Sequence, residues 1–252
     1  MGYNWNWGIL LAQEPGGTGT FLKYLLVGLG WSITTALCAW VIALAIGSLV
    51  GTLRTTSNRW VVRLGNAYVE IFRNIPLIVQ MFLWFFVVPE LVPKGLGDSI
   101  KQMPPPWSVF VPAVLCLGIF TSVRVAEQVR AGIQSLPRGQ RMAGTAMGLT
   151  QSQTYRHVIL PQAFRIILPP LTSEFMNIIK NSSVALTIGL MELTGRARAM
   201  QEFTFQVFEA FAAATVIYLL TNLVVVLGMR ALERKVRVPG LIAAGGQVTA
   251  GH

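Results

Sequence analysis

No charged side chain interrupts the 29 residues Leu25–Leu53. About 20 apolar residues in a helix rising about 1.5 Å each are enough to cross a bilayer. In hydrocarbon the backbone N–H and C=O groups must be paired within the segment, so such a run folds as a helix. Ala210–Met229 repeats the pattern with 20 uncharged residues. The whole chain is 53% hydrophobic and 12% charged, with mean hydropathy +0.58, where a soluble domain carries about 25% charged residues. The expected fold is all-α: a polytopic membrane protein forming a single transmembrane domain over residues 1–252.

Hydropathy and charge divide the chain into spans at about 25–53, 64–88, 107–132, 162–190 and 209–230. Segments 54–63, 124–165 and 230–237 are basic, the last through Arg230, Arg234, Lys235 and Arg237. The N-terminus, the Pro-rich turn segment 89–106 and segment 191–209 are balanced or nearly so. Under the positive-inside rule all six segments fit five transmembrane helices with the N-terminus outside and the C-terminus inside. The net charge of +10 has the same origin, and no basic-aromatic pattern in a soluble segment points to nucleic acid. Cys38 and Cys116 fall inside spans and read as small core residues. His157 and His252 make no metal site. The start, MGYNWNWGILLAQEP, lacks the basic n-region of a signal peptide, and its tryptophans suit an interfacial belt.

Within the spans, Gly47 and Gly51 form GxxxG, a close-packing face. Glu70 and Arg73 lie one turn apart, ahead of a kink expected at Pro76; they either pair or snorkel to the interface. Arg124 and Glu127 repeat that spacing in the third span. Pro169-Pro170 is expected to bend or break the fourth. Beyond it Ser173, Asn177, Lys180, Asn181 and Val184 share a helical face, which suits a polar interior path or a set of interhelical hydrogen bonds.

Between the third and fourth spans, residues 134–160 are expected to form a cytoplasmic loop of two short helices. Ser135 is a candidate cap for the first, and Gly148 its left-handed end. Thr150 with Gln153 is a capping box for the second, which Pro161 is expected to help terminate. Residues 143–148 are almost all small, with Met147 an adaptable apolar anchor. This is the composition of a docking knob.

That loop resembles the signature loop of ATP-binding-cassette importer permeases, the pattern Glu-Ala-Ala, three residues, Gly, nine residues, Ile, one residue, Leu-Pro. Here it reads Met142-Ala143-Gly144, Gly148, Val158, Leu160-Pro161, with the spacing complete. Met142 stands in place of the family Glu, and Gly144 in place of the second Ala. YVEIFRNIPLIVQ, AEQVRAGIQSLPRGQ, LPQAFR and IIKNSSVALTIG resemble the polar amino acid subfamily, and the variants FTSVRVAEQVRAGIQSLPRGQ and PPLTSEFMNIIKNSS its glutamate/aspartate permeases.

The resemblance implies a multi-pass subunit of the bacterial inner membrane. It would pair with a second permease chain, identical or homologous, with two ATPase subunits and with an extracytoplasmic binding protein. Cargo would be an acidic amino acid, or another polar one such as glutamine or histidine. The chain has no phosphate-binding GxxxxGK[ST] loop, so ATP is hydrolysed by a partner; no enzyme motif, cofactor or metal is expected. Gly139, Ala143, Ala146, Met147, Gly148 and Leu149 are the expected ATPase contact. The expected substrate path comprises Arg124, Glu127, Asn177, Asn181, Ser182, Ser183, Glu70 and Arg73. Many members of the subfamily hold an aromatic residue where this chain has Arg124. That arginine either grips a substrate carboxylate or pairs with Glu127. A stand-alone ion-coupled carrier or channel is the alternative class, and it leaves the 134–160 loop without a role.

Overall fold

The computed structural model describes residues 3–17 and 19–236; Arg237 and His252 lie outside them. Regular structure among these residues is helical, apart from one isolated bridge between Gln13 and Thr20. A 3-10 turn at Trp7–Leu11 leads into α1 (Phe21–Leu53), which begins four residues earlier than hydropathy suggests. Thr20 is the reason: its hydroxyl accepts the Lys23 N–H at 3.3 Å and caps the helix.

The segment expected as the second span is not one kinked helix over 64–88. It is α2 (Arg59–Arg73) followed by α3 (Leu77–Phe82), a π-helical turn (Leu83–Val87) and α4 (Val88–Leu91), with a 99° bend between the two halves. Pro76 lacks an N–H and drives Ile75 out of helical geometry, so the break exposes carbonyls. The buried Gln80 amide donates to two of them, Phe72 O at 2.8 Å and Ile75 O at 3.1 Å. A side chain thus completes a break that would otherwise leave polar backbone without partners. The Pro-rich segment that follows also holds α5 (Lys94–Lys101), whose Lys101 pairs with Glu90.

The segment expected as the third span folds as α6 (Trp107–Gln134). Ser135 does not cap the next helix; its hydroxyl donates to Gly132 O at 2.8 Å and closes α6. After α7 (Arg138–Ala146) and α8 (Gln151–Thr154), Pro161 ends nothing. A π-helical turn at Tyr155–Ile159 carries the chain into α9 (Leu160–Asn181), with Pro161 in its first turn. The Leu160 N–H reaches back to Tyr155 O, the wider π spacing that makes room where proline interrupts an α ladder.

Likewise α9 runs unbroken through Pro169 and Pro170. The missing donors concern only the carbonyls four residues back, Arg165 and Ile166, while the rest of the ladder persists. The real change comes at Ser182, where the helix tightens into a 3-10 segment (Ser182–Ile188) closed by Gly189 at φ 92°. Finally, α10 (Leu193–Thr204) and α11 (Val207–Val236) complete the described residues.

The α1–α6 crossing is the spine of the bundle, and Gly47 and Gly51 make it possible. A Cβ on Gly47 would lie 2.5 Å from the Val125 Cβ, and one on Gly51 2.7 Å from Ala126 O. Cys116 is buried in this core as expected, whereas Cys38 is exposed on α1 and is not a core residue.

By length and apolarity α1, α6 and residues 207–235 of α11 can each cross a membrane, and the bent pair raises the number to four. The helix expected in the fourth span, α9, is not among them; it carries Arg165, Glu174 and Lys180.

Candidate functional site

Where α2 meets α6, Val69, Val123 and Ala126 form a small buried cluster edged by Tyr68 and Phe72. The Tyr68 hydroxyl and Ser122 Oγ are 2.7 Å apart and tie the two helices. Beside this cluster Phe72, Arg73, Phe120, Val123 and Arg124 line a cavity of 260 Å³. The sequence places two of its candidate path residues, Arg73 and Arg124, on different helices; the fold brings them to one pocket. The Arg124 guanidinium lies over the Phe120 ring, 5.5 Å from its centroid. Among the described residues neither arginine has an ion-pair or hydrogen-bond partner. Guanidinium groups supply the forked donors that carboxylates accept, and here two of them stand beside an apolar wall.

Glu127 does not pair with Arg124. Its carboxylate takes the Arg54 Nη2 at 3.0 Å, while the Arg54 Nε donates to Asn66 Oδ1 at 2.8 Å. Arg54 is 6% exposed, and α2 can lie over its stem because residue 65 is glycine: a Cβ there would stand 2.6 Å from the Arg54 Cγ. Glu70 and Arg73 form no ion pair, and Glu70 is exposed outside the pocket lining. Asn177 and Asn181 are half-buried on α9 and do not line the pocket. Ser182 and Ser183 donate their hydroxyls to Ile179 O and Lys180 O, each at 2.7 Å, so both protons serve the helix end.

A larger cavity of 510 Å³ lies at the opposite end of the bundle, between Trp31, Pro105, Pro106, Gly189, Met191 and Arg196. Its guanidinium is already engaged. Arg196 donates to Met191 O and Tyr24 O and stacks 4.3 Å from the centroid of the Tyr24 ring. An anion has less to gain there.

In the 134–160 loop, Gly148 adopts φ 77° and ends α7, and Thr150 and Gln153 form the reciprocal capping box. Gly139, Ala143, Ala146, Met147 and Gly148 are exposed and Leu149 is half-buried; Met142 and Met147 are 71% and 78% exposed. The departure at Gly144 has a packing reason. It faces inward, and a Cβ there would lie 2.7 Å from the Thr154 side chain, so glycine lets α7 fold against α8. The loop is tethered to the α1–α2 turn by the Tyr155 hydroxyl, which donates to Thr55 O at 2.8 Å.

Arg54, Asn66 and Glu192 stand out only in three dimensions. Arg54 reads as one of three basic loop residues, and its burial depends on Gly65 and on partners far along the chain. Glu192 is fully buried: it accepts the Ser32 hydroxyl at 3.0 Å, the Tyr218 hydroxyl at 2.8 Å and the Gly195 N–H at 2.8 Å. It joins α1, α10 and α11, where the sequence shows only one acid in a mixed-charge segment. The available signal was position, three residues before Gly195 at the start of α10, where an acid can cap a helix.

Known proteins resemble this chain along most of its length. Residues 21–238 match the family described as binding-protein-dependent transport system inner membrane component. The chain is 49% identical over 241 residues to the glutamate/aspartate import permease protein GltJ of Escherichia coli (strain K12), covering 95% of this chain and 98% of that one. It is 36% identical over 203 residues to the probable glutamine ABC transporter permease protein GlnM of Bacillus subtilis (strain 168), covering 79% and 88%. A chain in the crystal structure of an amino acid ABC transporter with histidines superposes with a TM-score of 0.72 at 29% identity, covering 85% of this chain and 95% of that one.

Proposed function

This chain belongs to the family of binding-protein-dependent transport system inner membrane components, and on that premise we propose that it carries glutamate or aspartate through the inner membrane. It is a multi-pass transport subunit, not an enzyme: the relatives named above are permeases. The observation that carries the cargo assignment is the pair Arg73 and Arg124, two guanidinium groups on one cavity with no ion-pair or hydrogen-bond partner among the described residues. An acidic amino acid offers two carboxylates, and each guanidinium can bind one bidentately. Phe72, Phe120 and Val123 supply the apolar wall for the methylene carbons.

In this reading the whole chain is one transmembrane domain of five spans, with the N-terminus outside and the C-terminus inside. The bent α2–α4 unit is the second span, and α9 with its 3-10 extension is the fourth. The charge asymmetry of the loops supports that orientation. A second permease chain would shield the charged face of α9 and the exposed arginine pocket from lipid. Asn177, Asn181, Ser182, Ser183, Glu70 and Glu127 would then border the path beyond the pocket rather than form it.

Two cytoplasmic ATPase subunits would dock on the exposed ridge Gly139, Ala143, Ala146 and Met147, and an extracytoplasmic binding protein would deliver the cargo. Closure of the ATPase pair would push the loop and tilt the spans between two arrangements, exposing the arginine pocket alternately to each side. The arginines bind cargo in one arrangement. A change in their spacing in the other arrangement would weaken the grip and favour release, since a ligand held equally in both biases neither.

The test is reconstitution with the partner subunits and ATP-driven uptake measured across acidic, neutral and basic amino acids. Saturable uptake of glutamate or aspartate, with neutral and basic amino acids failing to compete, supports the assignment; preferential uptake of a neutral or basic one defeats it.

A further inference from the structure

We propose that Arg54 is a positioning residue: a buried clamp that sets the distance between Arg73 and Arg124 and links that distance to the ATPase-facing loop. The inference rests on the importer reading and adds to it a specific path through the chain.

Three observations meet at Arg54. First, it holds both helices of the pocket at once, α2 through Asn66 Oδ1 at 2.8 Å and α6 through Glu127 at 3.0 Å. Arg73 stands at the far end of α2, two turns beyond Asn66, and Arg124 one turn before Glu127 on α6. A shift at either contact therefore moves a pocket arginine with the rigid helix that carries it. Second, Arg54 belongs to neither helix. It follows the last residue of α1, the helix most tightly packed on α6, so it is anchored by the spine of the bundle. Third, the next residue, Thr55, receives the Tyr155 hydroxyl through its carbonyl at 2.8 Å and lies 3.3 Å from it through its own hydroxyl. Tyr155 opens the π-helical turn that follows α8.

These contacts form a continuous route. It runs from the loop through Tyr155 to Thr55, along one peptide to Arg54, and from there into α2 and α6. A guanidinium suits the junction because its fork can serve two acceptors at fixed angles, which an ammonium on a flexible stem does not. Among the described residues the buried Arg54 Nη1 has no hydrogen-bond partner. A displacement of the loop would pull on the 55 carbonyl and shift Arg54 between acceptors, changing the Arg73–Arg124 spacing without any contact to cargo.

The test uses the complete reconstituted transporter and three variants, Arg54→Lys, Asn66→Ala and Tyr155→Phe, with KM for uptake, maximal uptake and ATP consumed per cargo molecule measured for each. For Arg54→Lys and Asn66→Ala the expected result is a KM raised about tenfold in assembled protein, the consequence of losing one well-placed hydrogen bond. For Tyr155→Phe it is an unchanged KM with about fivefold more ATP consumed per molecule carried. A merely structural arginine would lower the yield of assembled transporter and leave the KM of the remainder at the wild-type value. Rescue of KM by lysine would likewise reduce Arg54 to a simple charge. If KM for Asn66→Ala and the ATP ratio for Tyr155→Phe both stay within twofold of wild type, the clamp is wrong. The cargo assignment stands or falls separately, on which amino acid the wild-type assembly takes up; the clamp is judged on variant-to-wild-type ratios for that cargo.

Discussion

The Arg54 guanidinium lies 3.0 Å from the Glu127 carboxylate and so takes from Arg124 the anion nearest to it in sequence. Arg54 is buried and Glu127 is about one-third exposed on its side chain. Replacing Glu127 by Gln removes the charge opposite a buried cation and is expected to cost about 1–2 kcal/mol once solvent screening at the glutamate is allowed for. Thermal unfolding of the purified assembly checks this: Glu127→Gln should melt earlier, and Arg124→Ala should melt with wild type.

The α1–α6 spine gives a prediction with an internal control. Gly47→Ala puts a Cβ 2.5 Å from that of Val125, and overpacking of this kind costs about 1–3 kcal/mol. Gly30 is on the same helix with nothing within 4 Å of where a Cβ would sit, so Gly30→Ala gains about 0.5–1 kcal/mol of helix stability. Melting temperatures of the two variants should move in opposite directions.

Ala146 is exposed on the ridge of α7, and Ala146→Arg is expected to change stability by no more than about 0.5 kcal/mol. It should nonetheless abolish cargo-dependent ATP turnover by blocking the docking face. Full coupling in a correctly inserted Ala146→Arg protein would remove α7 as the ATPase contact.

Glu192→Ala deletes a helix cap and strips the buried Ser32 and half-buried Tyr218 hydroxyls of a shared acceptor. The expected loss is about 2–4 kcal/mol. Glu192→Gln keeps an acceptor and should recover part of it, as read by thermal unfolding.

The helices with clean apolar runs were legible because the bilayer permits so few structures. Hydropathy alone located α1, α6 and α11, although α1 begins four residues before its expected bound and α11 ends six residues after it, and GxxxG located the face on which α1 meets α6. Prolines misled. Pro161 and Pro169-Pro170 sit inside a continuous helix, because a π turn and a long packed ladder absorb the missing donors, while Pro76 does break its span. Nothing local distinguishes these cases; the difference lies in what each neighbourhood provides, such as the Gln80 amide at the Pro76 break.

The candidate site shows the same division. Arg73 and Arg124 were suspicious singly, as charges in apolar stretches, but their meeting depends on the α2–α6 packing. The Arg124–Glu127 spacing invited a local pair that the fold replaces with Arg54, a residue that looked like an ordinary loop cation. Local periodicity sees one helix at a time. The clamp spans three.

The most direct test of the two-arginine pocket is the KM for ATP-driven glutamate uptake in proteoliposomes holding the full transporter, with Arg124→Ala, Arg73→Ala and the double variant beside wild type. Each lost charge-assisted contact is worth about 1.5–3 kcal/mol, so each single variant should raise KM by about 10- to 100-fold and the double variant further. Glutamate uptake with an unchanged KM in the double variant would contradict the account.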